Sequence, residues 1–359
     1  MTNYLLAGGG TAGHVNPLLA VADKLKAEQP DSKILVLGTA QGLEARLVPE
    51  RGYELTTIDK VPLPRRLSFS IFRFPFRLKA LVAEVRALIR ERGINSVVGF
   101  GGFVSAPAYL ASWLEKVPFV VHEANAKPGF ANRLGSRLTK YVGVAFRGTK
   151  LAHSRFVGMP MRIEIETLDR ERSRQQAQAH FGLADSRKTL LVTGGSLGAR
   201  GINETISNSV GLITGADWNL LHILGPKAEL PTSKSKFYRP ILYSDRMDLA
   251  FAAADFAISR AGSATIAELT GLGIPAALVP YESGNGEQVK NTVDVVKAGG
   301  AVMVRNRDFT TKWVETVLLD LIENDAKLVR MAQASKSVGL LDGTERVLAL
   351  IKESLGLHA

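Results

Sequence analysis

The chain has 359 residues, of which 45 are lysine or arginine and 34 are aspartate or glutamate, giving a formal net charge of +11. Hydrophobic residues make up 46% of the sequence, and domains of about 150 residues predict two of them in a chain of this length. The absence of cysteine excludes disulfides, thiolate-bound metals, iron–sulfur clusters and cysteine nucleophiles. The N-terminus has no basic region before its apolar run, so we expect no signal peptide.

The excess of positive charge is confined to the first half of the chain. Residues 1–160 contain 22 basic and 11 acidic side chains, whereas residues 161–359 contain 23 of each. We therefore expect two domains with different partners, of which the first meets something anionic.

Short apolar runs alternate with amphipathic stretches along the whole sequence. The run at 4–7 precedes the sequence GGGTAGH and a helix, and further buried strands are predicted at 33–38, 96–100, 119–122 and 141–145. After a Gly-x-Pro break near 158–165 the pattern restarts, with strands predicted at 189–193, 220–224, 255–259 and 276–279. This alternation is typical of parallel sheets covered on both faces, so we predict an α/β fold with two Rossmann-like domains in tandem.

The stretch 93–114 has no charged residue and is long enough to be considered as a transmembrane span. It contains Pro107, several polar residues and three glycines within 99–102. A strand, a glycine turn and a helix explain this composition better than a membrane span.

Three glycine-rich loops each follow a predicted strand. Residues 8–13 have the spacing GxGxxG, and similar loops occur at 99–102 and 194–198. A dinucleotide cofactor would need an acid at the end of the second strand, but none occurs there before Glu44, which disfavours NAD. The alternative for one such loop is a turn needed only for packing. Three loops at strand ends instead favour ligand binding.

A fourth segment, 259–268, follows another predicted strand. Ser263 is expected to cap a helix, so that the N–H groups of Ala264 and Thr265 are free to hold a diphosphate. Glu268 would lie on the same helix face as Ala264 and could accept both hydroxyls of a ribose. The alternative is a solvated helix glutamate.

The sequences GGGTAGHVNP, GFGGFVSAP, HEANAKPG, GMPMR, GGSLGAR and SRAGSATIAE occur here in the order seen in the MurG family. The chain resembles this family over residues 4–350. The resemblance implies a GT-B fold, with an N-terminal acceptor-binding, membrane-facing domain (1–160), a UDP-sugar domain (161–340) facing it across a cleft, and a C-terminal helix (341–359) returning to the first domain.

The resemblance also implies transfer of N-acetylglucosamine from UDP-N-acetylglucosamine to lipid I, giving lipid II for peptidoglycan. Arg162 and Ser196 would contact the diphosphate, Ser244 the uracil, and Glu268 the ribose. Gln288 and Asn291 would lie near the sugar, with Thr11, Ala12, Gly13 and Asn125 closing from the first domain. The helix start that would hold phosphate comprises Ser263, Ala264, Thr265, Ile266 and Ala267. Two positions depart from the family pattern, Ala12 in place of glycine and Glu287 in place of glutamine.

An inverting displacement needs a base for the acceptor hydroxyl and stabilisation of the leaving diphosphate. His14 is the first candidate for the base, and Glu123, at a predicted strand end, is the second. His14 could instead hydrogen-bond the loop backbone. Helix N-termini and Arg162 would stabilise the diphosphate, so we expect neither a metal nor a cofactor.

Residues 60–92 hold nine basic and two acidic side chains beside a cluster of phenylalanines. Cations and aromatic rings suit nucleic acid, but they suit an anionic membrane surface equally. A lipid-linked acceptor favours the membrane, and places the protein at the cytoplasmic face of the cell membrane as a peripheral protein. Core helix plus solvated loop is the alternative. The candidate membrane residues are Arg66, Phe69, Phe72, Arg73, Phe74, Phe76, Arg77 and Lys79.

Three other functions remain open from the sequence. They are a GT-B transferase with another lipid acceptor, a UDP-sugar 2-epimerase, and a non-catalytic nucleotide or RNA-binding protein. The favoured interpretation has no nucleic-acid partner, and its protein partners would belong to the cell-wall and division machinery.

Overall fold

The computed structural model describes residues 2–59, 70–282 and 286–357, and for 70–73 it describes the backbone alone. The chain forms two compact units. The first comprises residues 1–162 together with 342–359, and the second comprises residues 163–341.

The first unit is built on a parallel sheet of seven strands. The strands are β1 (Asn3–Ala7), β2 (Lys33–Gly38), β3 (Glu54–Thr57), β4 (Ser96–Gly99), β5 (Phe119–Glu123), β6 (Val142–Val144) and β7 (Ser154–Phe156). Their order in the sheet is β3–β2–β1–β4–β5–β6–β7. The helices that connect them are α1 (Ala12–Glu28), α2 (Glu44–Glu50), α3 (Ser70–Glu91), α4 (Ser105–Glu115) and α5 (Phe130–Gly135).

The second unit repeats this plan with six parallel strands. They are β8 (Lys188–Thr193), β9 (Trp218–Ile223), β10 (Tyr238–Ile241), β11 (Phe256–Ser259), β12 (Ala276–Leu278) and β13 (Ala301–Met303), in the order β10–β9–β8–β11–β12–β13. The helices that precede β11 in the chain are α6 (Ile163–Glu166), α7 (Arg170–Phe181), α8 (Arg200–Ser207), α9 (Val210–Gly215) and α10 (Met247–Ala253). The remaining helices are α11 (Ser263–Gly271), α12 (Glu287–Asn291), α13 (Val293–Ala298), α14 (Thr311–Trp313), α15 (Leu319–Ile322) and α16 (Asp325–Val338), with a π-helical turn, Val314–Leu318, between α14 and α15.

Alternate residues of a central strand point to opposite faces, and both faces of the first sheet are covered. Leu5 packs into a core with Val85 of α3 and Tyr109 of α4, whereas Leu6 packs into a second core with Leu18 of α1. Burial on both faces explains why the strands read as continuous apolar runs rather than alternating ones.

The last helix, α17 (Gly343–Ser354), belongs to the first unit. Its residues Val347 and Ile351 are fully buried in the same core as Leu18. Gly343 lies directly on the Met159 backbone, where any Cβ would overlap main-chain atoms. Ion pairs such as Lys24–Glu345 lie at the rim, where exposed pairs contribute little, so the buried apolar face holds the helix in place.

The uncharged stretch 93–114 forms β4, a glycine turn and most of α4, as the sequence predicts. Within the described parts of the chain, no helix is both long and apolar enough to cross a bilayer. Within the basic segment 60–92, helix α3 begins at Ser70 and continues to Glu91.

Two histidines are buried in the neutral state. His122 hydrogen-bonds the Gly158 carbonyl through Nε2 (3.0 Å), while its Nδ1 has no partner. His222 lies between the Tyr238 hydroxyl (3.0 Å) and the Asn203 side-chain oxygen (3.1 Å). Burial lowers the pKa of each imidazole from 6.5 to about 4.

These histidines make stability depend on pH. The unfolded chain protonates them near its ordinary pKa of 6.5 but the native chain only near 4, so between these values the unfolded state binds more protons. The free energy of unfolding therefore falls as the pH falls through this window. We expect urea unfolding midpoints to decrease in that direction, and His222→Gln to make the decrease shallower. His180→Gln, at an exposed position, should keep the wild-type slope. An unchanged slope in His222→Gln would contradict this account.

Candidate functional site

The glycine-rich loops lie where the strand order of each sheet reverses. In the first sheet β1 pairs with β2 on one side and β4 on the other, and in the second sheet β8 pairs with β9 and β11. Loops that follow such strands diverge and leave a crevice at the carboxyl end of the sheet, where open α/β folds bind ligands. The loops at 8–11, 100–104, 194–199 and 260–262 all occupy this position.

The first loop is held by a carboxylate of the protein itself. Glu44, at the start of α2, accepts hydrogen bonds from the Gly10 N–H (2.8 Å) and from the N–H (2.9 Å) and hydroxyl (2.8 Å) of Thr39. A Cβ on Gly9 or Gly42 would overlap this carboxylate. The Gly10 N–H, which in a dinucleotide-binding loop faces a phosphate, is therefore occupied by an internal anion.

The environment of Glu44 keeps it ionised. Burial raises the pKa of the carboxyl, but the hydrogen bonds from Gly10 and Thr39 lower it by more, so the pKa lies below its usual value. Sequence reasoning considered Glu44 only as a ribose acid that comes too late in the chain. Its contact with Gly10 spans 34 positions and leaves no pattern in the sequence.

His14 lies in the first turn of α1, beside the same loop. Its Nδ1 is 3.0 Å from the Gly9 carbonyl oxygen, and 3.4 Å from the Thr11 hydroxyl. Because a carbonyl only accepts hydrogen bonds, Nδ1 carries a proton, and in the neutral ring the lone pair is on Nε2. A Cβ on Gly101 would come within 3.1 Å of Nε2, so glycine at that position leaves the lone pair accessible.

The two loops of the first sheet are joined by Ser105. Its hydroxyl accepts from the Gly101 N–H (3.0 Å) and lies within hydrogen-bonding distance of the Ala7 carbonyl (3.0 Å). Gly102 has a φ of +84°, and a Cβ there would come within 2.8 Å of the Gly9 carbonyl oxygen. The close approach of the loops therefore requires glycine, and Ser105 is a site-forming residue that sequence reasoning missed.

The structure brings Thr11, Ala12 and Gly13 to the entry of α1. Thr11 precedes the helix with extended backbone, and Ala12 is its first residue. Positive φ angles among the described non-glycine residues occur only at Lys116, His153 and Asp217, so the methyl group of Ala12 causes no backbone strain.

Glu123, the second candidate for the base, is engaged by its own loop. Its carboxylate accepts from the N–H groups of Asn125 and Gly129 and from the Asn132 side chain, each at 2.9 Å, and the residue is 2% exposed. A carboxylate bound by three donors is poorly placed to take a proton from a substrate. The geometry favours a positioning role for Glu123 and leaves His14 as the better-placed base.

In the second unit, the loop after β8 presents an exposed tip on a constrained backbone. Gly195 and Gly198 have φ angles of +84° and +77°, and Ser196 lies exposed between them. A Cβ on Gly198 would overlap the Leu224 carbonyl oxygen. Ser244 follows β10, the edge strand beyond β9. It is buried and accepts a hydrogen bond from the Arg246 N–H (3.2 Å).

The start of α11 corrects one prediction. Gly262, not Ser263, is the N-cap: Gly262 has an extended backbone with a φ of −64° and a ψ of 143°, and Ser263 is the first helical residue. The first-turn N–H groups, from Ser263 to Thr265, have no acceptors within the helix, and no acidic residue lies in that turn. The helix therefore presents a partial positive charge at the carboxyl end of β11.

The surroundings of α11 are fixed by side-chain hydrogen bonds to backbone. Asn291 is buried and donates to the Ala261 carbonyl (3.3 Å), and Arg260 donates to the Val279 carbonyl (3.0 Å). Gln288 accepts from the Tyr281 N–H (2.9 Å), so its amide oxygen is already engaged by the backbone of Tyr281. Helical spacing puts half-buried Glu268 one turn from Ala264 on the same face, and Ile266 and Ala267 lie between them.

Two groups of predicted residues lie elsewhere. Arg162 is the last residue of the first unit. In the candidate membrane segment, Phe74 is partly buried and packs against the core of the first unit, whereas Phe76 is 76% exposed beside exposed Arg77 and Lys79. Arg66 and Phe69 lie outside the described residues, as do the side chains of Phe72 and Arg73.

In 2–59, 70–282 and 286–357, no three histidine, aspartate or glutamate side chains converge closely enough to bind an ion. Asp248, in the first turn of α10, forms an ion pair with Arg246 (2.7 Å).

Two protein-family models match the chain. The glycosyltransferase family 28 N-terminal domain matches residues 4–144, and the corresponding C-terminal domain matches residues 189–347. The chain belongs to glycosyltransferase family 28. This membership confirms the GT-B fold class predicted from the sequence.

The relatives of this family 28 chain match it over its full length. It is 56% identical over 355 residues to the UDP-N-acetylglucosamine–N-acetylmuramyl-(pentapeptide) pyrophosphoryl-undecaprenol N-acetylglucosamine transferase of Leifsonia xyli, with 99% of each chain covered. The crystal structure of Acinetobacter baumannii MurG superposes with a TM-score of 0.81 at 27% identity, covering 98% of this chain and 100% of that one. These matches confirm the resemblance to the MurG family.

A third match concerns the alternative function of a UDP-sugar 2-epimerase. The UDP-GlcNAc 2-epimerase of Neisseria meningitidis, bound to UDP-GlcNAc, superposes with a TM-score of 0.68 at 14% identity, covering 98% of this chain and 100% of that one. Identity at this level shows a shared fold alone.

The loop after β8 provides a direct test of this family 28 site. Gly198→Ala would place a methyl group against the Leu224 carbonyl at a positive φ, so we expect a loss of stability of about 2 kcal/mol or more and a raised KM for the nucleotide substrate. Gly211→Ala, in α9 with open space around it, is the matched control and should be neutral or slightly stabilising. Urea unfolding measures both, and equal midpoints for the two variants would refute the steric argument.

Proposed function

We propose that the chain transfers N-acetylglucosamine from UDP-N-acetylglucosamine to lipid I, the undecaprenyl-pyrophosphoryl-N-acetylmuramoyl-pentapeptide, forming lipid II for peptidoglycan synthesis. The observation that carries this proposal is the 56% identity, over 99% of both chains, to a transferase named for this reaction. The likeness to MurG at a TM-score of 0.81 supports it independently of that name.

The donor binds the second unit in this proposal. Its diphosphate lies at the start of α11, where unpaired N–H groups and the absence of a first-turn acid favour an anion. Ser196 and Arg162 contact the same diphosphate, the backbone around Ser244 receives uracil, and Glu268 accepts the ribose hydroxyls. Gln288 and Asn291 shape the loop beside the sugar through their bonds to Tyr281 and Ala261.

The reaction proceeds by inverting displacement. The acceptor hydroxyl attacks the anomeric carbon, a new C–O bond forms as the bond to UDP breaks, and the hydroxyl proton passes to Nε2 of His14. The Nδ1–H···O=C bond to Gly9 supports this role, because it leaves Nε2 unprotonated and ready to accept. The helix start and Arg162 stabilise the negative charge that develops on the leaving diphosphate.

The decisive assay is UDP release from UDP-N-acetylglucosamine with and without a lipid I analogue. A transferase releases UDP only when the acceptor is present, and the N-acetylglucosamine appears on the lipid. An epimerase would convert the UDP-sugar without any lipid acceptor, and a diacylglycerol transferase would accept diacylglycerol in place of lipid I. Either of these outcomes would overturn the proposal.

His14→Ala tests the base assignment. Removal of a general base lowers turnover by about 100-fold or more, so we expect kcat at saturating substrates to fall by that factor while the affinity for UDP is unchanged. Calorimetric titration with UDP gives the control, since UDP binds the other unit. A variant with nearly full kcat would show that another group takes the proton.

We propose further that the first unit docks on an anionic membrane at the cytoplasmic face of the cell membrane. Phe76 is largely exposed on α3 beside Arg77 and Lys79, and Trp113, on the adjacent helix α4, is 54% exposed. Exposed rings next to cations are the arrangement that enters a lipid interface while the charges contact head groups. Partners in the cell-wall and division machinery would meet the enzyme there.

Phe76→Ser tests this docking. Loss of one phenylalanine that inserts into the lipid interface should weaken partition into phosphatidylglycerol vesicles by roughly tenfold, and UDP release from a soluble acceptor analogue should stay unchanged. Val329→Ser removes another exposed apolar side chain, in the second unit, and should leave partition unaltered. Sedimentation with vesicles measures both variants, and wild-type partition by Phe76→Ser would contradict the docking proposal.

A further inference from the structure

The buried carboxylate of Glu44 has no role in the reaction described so far. It is completely buried at the start of α2, and its recorded partners all belong to the loops after β1 and β2. An ionised group in the interior is costly unless its hydrogen bonds are complete, so its position beside the candidate base calls for an explanation.

A single peptide group connects Glu44 to His14. The Gly10 N–H donates to Glu44 Oε2 at 2.8 Å, and the Gly9 carbonyl accepts from His14 Nδ1 at 3.0 Å. This N–H and this carbonyl are the two ends of one planar peptide unit, and in a trans peptide they point in opposite directions. Fixing the N–H on Glu44 therefore aims the carbonyl at the imidazole.

The glycines on both sides make the Gly9–Gly10 peptide prone to flip. Gly10 has a φ of +88° and open space at its Cβ position, and glycines on both sides of a peptide permit a flip that other residues resist. A flipped peptide would present its N–H to Nδ1 in place of its carbonyl. Nδ1 would then have to accept, the proton would move to Nε2, and the ring would lose the lone pair it needs as a base.

We propose that Glu44 is a positioning residue that selects the tautomer of His14 through the Gly9–Gly10 peptide. The negative charge holds the peptide in the orientation that accepts from Nδ1–H, and it polarises the hydrogen-bonded chain that ends on the imidazole. The proposal rests on the base role of His14, but the tautomer itself can be observed without any reaction.

The test compares variants of Glu44 and Thr39 in the full-length protein. Glu44→Ala removes all three hydrogen bonds that the carboxylate accepts. Glu44→Gln keeps the side-chain volume but leaves one of the two backbone N–H donors facing the NH2 group of the glutamine, which cannot accept. Thr39→Val removes only the bond from the Thr39 hydroxyl. Asp23→Asn is the matched control, because Asp23 also fastens the end of α2, through Arg51 and Tyr53, without touching the loops.

The first readout is the pair of imidazole nitrogen shifts in ¹⁵N-histidine-labelled protein, with the His14 signals assigned from His14→Ala. We expect the Nδ1–H tautomer in the wild type and in Asp23→Asn, and a shift toward the Nε2–H tautomer that grows from Thr39→Val to Glu44→Gln to Glu44→Ala. Thr39→Val keeps the test decisive if the Glu44 variants do not fold. An unchanged tautomer in every folded variant overturns the proposal, even if activity falls.

The second readout separates this proposal from the base assignment. A misplaced base should lower kcat by about tenfold in Glu44→Gln and about 100-fold in Glu44→Ala, while KM for UDP-N-acetylglucosamine stays within about twofold. If His14→Ala retains kcat while the tautomer still follows Glu44, the base role fails and the positioning stands. If His14→Ala loses kcat while the tautomer ignores Glu44, the positioning fails and the base role stands.

Discussion

The reversal of strand order beside the first strand of each sheet is the constraint on which the site depends. Because β1 is flanked by β2 and β4, and β8 by β9 and β11, the loops that leave these strands turn to opposite faces and expose their backbone at one edge. All four glycine-bearing segments occupy these edges. The order of the buried strands therefore determines where a ligand-binding crevice can form, whatever side chains line it.

The two units use the same loop design for different purposes. In the first unit an internal carboxylate occupies the N–H of the glycine loop, so the loop serves to hold an imidazole rather than a phosphate. In the second unit the start of α11 has neither a side-chain cap nor an acidic neighbour in its first turn. A phosphate in the first loop would meet the like charge of Glu44, whereas one at α11 would meet only donors and a helix dipole. This difference favours the second unit over the first as the place where an anionic donor binds.

The sequence predicted the elements whose signal is local. The strands β1, β2 and β8 are apolar runs bounded by glycine or polar residues, and the structure places them within one residue of the predicted limits. The loops at their ends were likewise located correctly, because glycine spacing is a property of a few adjacent residues. The MurG-like motifs add specificity that no composition argument could provide.

Features that depend on tertiary contacts could not be predicted in this way. Glu44 accepts a hydrogen bond from Gly10, which lies 34 residues away, and Glu123 accepts one from Asn132 on α5. Neither contact leaves a pattern in the sequence. Serine is a favoured N-cap residue, which predicts Ser263 at this position, but the N-cap in the structure is Gly262. Phe74 and Phe76 cannot be distinguished by sequence in a phenylalanine-rich segment. The packing of α3 shows that Phe74 packs against the core and that Phe76 faces solvent.

The most direct measurement of this division of roles is amide hydrogen exchange of the full-length protein with and without UDP. The account predicts slower exchange on UDP binding in the segments 194–200 and 260–268, where donors await the nucleotide. It predicts no change at the Gly10 amide, which is already bonded to Glu44. Protection of the Gly10 amide with unchanged exchange at 260–268 would contradict the account, because the nucleotide would then take the donor that is bonded to the carboxylate of Glu44.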